Sequence, residues 1–201
     1  MGLYPTKEEC PLYPIVDMVE HQVIASVHSE QELKLAIESD ANIVFLLTGS
    51  IFNLKSMVEQ VKQAGKHVFL HMDFIEGIAS DRSGVAYVSQ YFQPTGILST
   101  RSNLIRVAKE MNLMSIQRIF LIDNNAVTKG IKAVEQSLPD AVEIMPGVMP
   151  RIIRQLTDMT PLPIIAGGLI GNRQEIDDAL AAGALAVSVG TSELWGRSSR
   201  A

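Results

Sequence analysis

One unit repeats along this chain: a short run of β-branched and apolar residues, then a stretch with the period of a helix. The runs fall at residues 23–27, 43–47, 67–73, 95–99, 118–123, 141–145, 162–166 and 186–190. Helix-period stretches lie between them at 31–39, 53–64, 102–114, 127–138, 149–159 and 172–182. Asn53, Ser102 and Asn172 are suited to cap the helices they open, and Gly65 and Gly183 stand where helices should stop. The stretch 84–93 is the weakest helix of the set, because Gly84, Val85, Tyr87 and Val88 are poor helix formers.

Strand and helix alternating over short connections imply parallel strands, and strands covered by helices read as continuous apolar runs, as these do. A doubly wound open sheet alternates in the same way but usually stops at about six strands. Eight units favour closure. The expected fold is a (β/α)8 TIM-type barrel, one compact domain over residues 1–201, with 1–20 as a lead-in segment and 197–201 as a tail.

Hydrophobic residues make up 47% of the 201 and charged residues 19%, which suits a packed core and not a disordered chain. The formal net charge of -5 argues against a protein that wraps duplex nucleic acid, while leaving room for a local basic patch. The single cysteine, Cys10, has no disulfide partner in the chain and no metal-type spacing around it. A reducing, cytoplasmic location is expected, and no membrane partner, since no apolar run has bilayer length.

In such a barrel the site is built from the carboxyl ends of the strands and the loops after them. The seventh run leads into Gly167-Gly168 and the eighth into Gly190-Thr191-Ser192, opening a short helix that Trp195 packs. Glycines let backbone N–H groups approach an anion, and a helix start favours one. Two such loops on adjacent strands read as a phosphate clamp; either alone would be only a tight turn. Other strand ends offer His71 and Asp73, Ser99, Asp123 and Glu143, which could hold the hydroxyls of a polyol or act as acid and base. Asp73 and Asp123 could equally cap loops. No lysine ends a strand, so Schiff-base chemistry has no nucleophile here. Arg82, Arg101, Arg151 and Arg173 lie near loops, with Arg101 best placed for an anion or an RNA strand.

The segments His71-Met72-Asp73-Phe74-Ile75-Glu76-Gly77, Gly96-Ile97-Leu98-Ser99-Thr100, Ile116-Gln117-Arg118-Ile119-Phe120-Leu121-Ile122-Asp123, Glu143-Ile144-Met145-Pro146-Gly147 and Pro163-Ile164-Ile165-Ala166-Gly167-Gly168-Leu169-Ile170 follow in this order. Together they resemble the glycerol-3-phosphate-responsive antiterminator family over about residues 23–195. The resemblance implies a non-catalytic barrel that senses glycerol 3-phosphate and acts on leader mRNA of glycerol-utilisation operons, with Arg82, Arg101 and Arg173 as candidate RNA or anion contacts. Gly147 joins the ligand contacts on the same ground. No cofactor is implied, a divalent metal is not expected, and a homo-oligomer is compatible with the reading. The chain departs from the family at Val27-His28, where relatives end the first strand in Val-Lys. It departs again at Val189-Gly190-Thr191-Ser192, where relatives often show Thr-Ser-Asn. The alternatives are a phosphosugar or glycerol-phosphate isomerase, synthase or lyase using His71, Asp73 and Glu143, and a scaffold that keeps the clamp but works through protein partners.

Overall fold

The computed structural model of the chain describes residues 14–196. Cys10 and the tail 197–201 lie outside them. Eight strands form a closed barrel in sequence order, every neighbouring pair parallel and β8 pairing back to β1. They are β1 (Val23–Val27), β2 (Ile43–Leu46), β3 (His67–His71), β4 (Gly96–Ser99), β5 (Met114–Phe120), β6 (Ala141–Met145), β7 (Ile164–Gly167) and β8 (Ala186–Val189). A short helix α1 (Pro14–Met18) precedes them. The outer ring is α2 (Glu30–Glu38), α3 (Leu54–Gln63), α4 (Arg82–Tyr87), α5 (Ser102–Glu110), α6 (Asn124–Ser137), α7 (Pro150–Met159) and α8 (Arg173–Ala181).

Alternation along each strand divides the core in two. Outward residues such as Val44, Val68, Ile97 and Val187 pack under the helices. Inward residues Ile24, Phe45, Phe69, Leu98, Ile116 and Ile165 fill the amino-terminal part of the barrel. Phe45 meets Phe69 edge-on at 5.8 Å between ring centroids. Gly96 makes that layer fit, because a Cβ there would lie 2.6 Å from Phe69 Cε1. Of the lead-in segment's described residues, Ile15 of α1 is fully buried in this inner cluster and closes the amino-terminal end of the barrel.

Two strands, β5 and β3, differ from the sequence reading. β5 begins at Met114, four residues before the expected run, and ends at Phe120, so Asp123 belongs to the next helix. The early start was masked by polar residues whose partners lie elsewhere: Ser115 N–H donates to Asp140 Oδ2 at 2.7 Å, and Gln117 Nε2 to Ser102 Oγ at 2.9 Å. β3 stops at His71, and Met72–Phe74 form a 3-10 turn. The weak stretch is helical. Asp81 caps α4 by accepting from Gly84 N–H at 2.9 Å, and a π-helical segment, Val88–Phe92, carries it on. Asn172 caps α8 by accepting from Glu175 N–H, whereas Arg101, not Ser102, takes the capping position of α5. Gly65 and Gly183, with φ of +75° and +103°, end α3 and α8 as expected.

Candidate functional site

Above the apolar layers the inward positions turn polar. They carry Ser26 on β1, His71 on β3, Arg118 on β5, Glu143 on β6 and Ser188 on β8, all buried. Arg118 and Glu143 are register partners on adjacent strands, so their side chains meet, with Nε donating to Oε2 at 2.6 Å. The other oxygen, Oε1, accepts from Ser188 Oγ at 2.6 Å, although β7 lies between. Gly167 is what opens that path. A Cβ at 167 would sit 2.4 Å from Ser188 Oγ and 2.7 Å from Glu143 Oε1. The first glycine of the pair thus makes room for a buried hydrogen bond, which its sequence context does not disclose.

This inner layer is incompletely satisfied. Arg118 is 4% exposed and its Nη2 has no hydrogen-bond partner; His71 is 1% exposed and neither ring nitrogen has one. Buried polar groups without partners cost about 1–3 kcal/mol each and are rare in folded proteins. The His71 pKa is lowered to about 4, first by burial and then by the Arg118 charge, with Asp73 pulling the other way. The ring is therefore neutral at pH 7 and offers one donor and one acceptor.

A second cluster stands at the rim. Asp73 Oδ2 accepts from Ser99 Oγ at 3.1 Å, Thr100 N–H at 2.9 Å and Thr100 Oγ1 at 3.2 Å, and lies 3.6 Å from His71 Nδ1. Its Oδ1 is 3.2 Å from Arg101 Nε, a charge contact without hydrogen-bond alignment. Of the expected residues, His71, Asp73, Ser99 and Arg101 come together here, with Glu143 in the layer below. Asp123 does not join them: it is exposed and caps α6, accepting from Ala126 N–H at 2.7 Å. Arg82 is exposed and ion-paired with Glu110 of α5, and Arg173 opens α8.

The two glycine loops lie on the neighbouring strands β7 and β8. Gly168 has a φ of +76°, and its carbonyl accepts from Gly147 N–H at 3.1 Å, tying the β6 loop to the β7 loop. A Cβ on Gly147 would come within 2.8 Å of Gly167 N, so that approach requires glycine. Gly190 and Thr191 are exposed, and His28 at the end of β1 leans on this loop, its Nε2 3.7 Å from where a Gly190 Cβ would be. Trp195 anchors the segment, donating from Nε1 to Val189 O at 2.7 Å from a fully buried position. Among the described residues, no group of three or more His, Cys, Asp or Glu could hold a metal ion. No helix among them is long and apolar enough to cross a membrane.

A profile of the glycerol-3-phosphate responsive antiterminators matches residues 23–195. The chain belongs to that family. It is 32% identical over 176 residues to the Escherichia coli (strain K12) protein YgcP, covering 88% of this chain and 92% of that one. The glycerol uptake operon antiterminator regulatory protein of Listeria monocytogenes superposes with a TM-score of 0.84 at 32% identity, over 88% of this chain and 95% of that one. An antiterminator-related protein of Thermotoga maritima gives a TM-score of 0.79 at 28% identity, over 89% and 99%. The family match spans every strand of the barrel, both glycine loops and the Trp195 anchor.

Sequence reasoning missed two residues of the inner layer. Arg118 read as the start of a run, not as an inward side chain near its end. Ser188 read as part of an apolar strand. Thr100, at the end of the fourth run, serves Asp73 with both its N–H and its hydroxyl. One signal was available for Arg118: a cation in a run of buried residues, two positions from Ile116 on the same face.

Proposed function

We infer that this barrel is a sensor of glycerol 3-phosphate that acts, when loaded, as an antiterminator on leader mRNA in the cytoplasm. The observation that carries the ligand half is the buried Arg118 guanidinium, whose Nη2 is unpartnered beside an equally unpartnered neutral His71. The phosphate is assigned to the backbone N–H groups of the Gly168 and Gly190–Thr191 loops, with Ser192 alongside. The glycerol part reaches down, where Arg118 Nη2 donates to one hydroxyl and His71 both donates and accepts. Glu143 serves as a positioning residue: both of its oxygens are engaged, and it aims Arg118. The family supplies the second half, regulation of transcription through RNA.

No turnover is assigned. A histidine held near 4 is a weak base at neutral pH, and no cofactor or metal is required by this arrangement. Glycerol 3-phosphate at a hundred times its Kd should stabilise the fold by about 2.7 kcal/mol, a clear rise in Tm, while glycerol leaves it unchanged. Phosphorus NMR of the same samples should recover the ligand intact. Equal shifts from glycerol would remove the phosphate clamp, and consumption of the ligand would move the chain to the enzymes.

A further inference from the structure

The helices of the outer ring are unequal in charge. α8 and α2 carry six carboxylates against Arg173 and Lys34. The three consecutive helices α5, α6 and α7 reverse this balance, with Arg106 and Lys109, Lys129 and Lys132, Arg151 and Arg154 against Glu110, Glu135 and Asp158; α3 also carries two cations, Lys55 and Lys62, against Glu59, but seven residues apart. Glu110 is taken by Arg82. All six cations are exposed, and none has an ion-pair partner among the described residues; Lys109 Nζ donates to Leu138 O at 3.2 Å.

The spacing recurs. In each helix the two cations stand three residues apart, one turn up the same outward face. Like charges one turn apart weaken a helix, and this chain does it in three neighbours in succession. Arg151 also sits in the first turn of α7, against the helix dipole. The pairs step across the flank. Arg106 and Lys109 occupy the lower half of α5, Lys129 and Lys132 the middle of α6, and Arg151 and Arg154 the upper half of α7, nearest the mouth. A diagonal cationic band on an otherwise acidic protein is complementary to a chain of phosphates.

We propose that the α5–α6–α7 flank is the surface on which this protein holds the backbone of single-stranded RNA. It rests on the antiterminator reading above and places the RNA away from Arg82 and Arg101, whose charges are committed to Glu110 and Asp73. The ligand mouth stays open while RNA is bound, and only the α7 end of the band approaches it.

The test uses the full chain with glycerol 3-phosphate present and a fluorescein-labelled oligouridylate of about twenty nucleotides, titrated at several salt concentrations. Six phosphate contacts give a slope of log affinity against log salt of about -4, at roughly 0.7 per contact. The variant K129Q/K132Q/R151Q/R154Q should bind more than tenfold more weakly, with a slope of roughly -1.5. A control, K34Q/K55Q/K62Q, removes three cations elsewhere and should leave both values unchanged. An unchanged slope in the fourfold variant, an equal loss in the control, or no RNA binding by the wild type would each overturn the proposal. The melt with glycerol 3-phosphate, run on all three proteins, reads the ligand site separately. A wild type that responds to the ligand but not to the RNA sinks the flank and spares the sensor, whereas a wild type deaf to the ligand sinks the sensor itself.

Discussion

Barrels of this size ordinarily fill their inward positions with aliphatic side chains, and β3, β5 and β6 depart from that with His71, Arg118 and Glu143. A buried ion pair of this kind tends to cost in desolvation what it gains in attraction, so its retention fits a site better than a need for stability. His71 makes the cost measurable. Its pKa is 6.5 in the unfolded chain and about 4 in the fold. Between those values the unfolded chain takes up a proton that the folded chain refuses. Stability is therefore full above pH 6.5, falls as pH falls towards 4, and levels off below. The whole excursion from this residue is about 3 kcal/mol. His71→Asn keeps a donor and an acceptor without the titration, so its urea midpoint should change less than the wild type's between pH 7 and 4.5. Parallel curves for the two proteins would sink this account. His71, Asp73 and Glu143 were legible in the sequence because each stands near the end of an apolar run. Arg118 was not, since polar Ser115 and Gln117 concealed the true start of its strand.

At the scale of elements, α4 shows how a helix forms from residues of low propensity. Gly84, Val85, Tyr87 and Val88 are poor helix formers, yet Val85 and Val88 are fully buried against the core and the Asp81 cap fixes the first turn. Packing outweighs propensity, as it commonly does in helices of this length. Gly84 is there for contact, since a Cβ would stand 1.8 Å from the carbonyl oxygen of Ala79 in the loop that folds back on it. Gly84→Ala would gain about 1 kcal/mol in an exposed helix. Here it should lose about 1–3 kcal/mol, because rigid backbone must move to admit the methyl group. Chemical denaturation with an unchanged m-value would measure that loss, and a stabilised variant would show that the loop yields freely. The six other helices of the ring were legible to within a few residues because their apolar faces are regular and their ends are marked by Asn172, Gly65 and Gly183. The 3-10 turn after β3 was not. It brings Asp73 to the rim by turning the chain, not by continuing a strand.

In the whole molecule, the apolar packing and the buried polar layer occupy opposite ends of one barrel. The amino-terminal end is apolar and closed by Ile15, and the carboxyl end is polar, with Arg118, Glu143 and Ser188 sharing hydrogen bonds across β5 to β8. α1 lies before the first repeat, so the periodicity that disclosed the barrel said nothing of its plug. Ile15→Ala removes a fully buried side chain and should cost about 2–5 kcal/mol. Ser188→Ala leaves Glu143 Oε1 without its donor and should cost about 1–3 kcal/mol. The two sites share no partner and lie at different layers, so in the double variant the costs should add to within about 0.5 kcal/mol. The ligand response should divide between them: measured on folded protein, Ile15→Ala keeps the affinity for glycerol 3-phosphate of the wild type, whereas Ser188→Ala, which loosens Glu143 and through it Arg118, weakens it. Calorimetric unfolding of the four proteins, with ligand titrations on each, reads both quantities. A coupling well above 0.5 kcal/mol, or a loss of affinity in Ile15→Ala, would mean that the plug tunes the mouth through the packed layers between them.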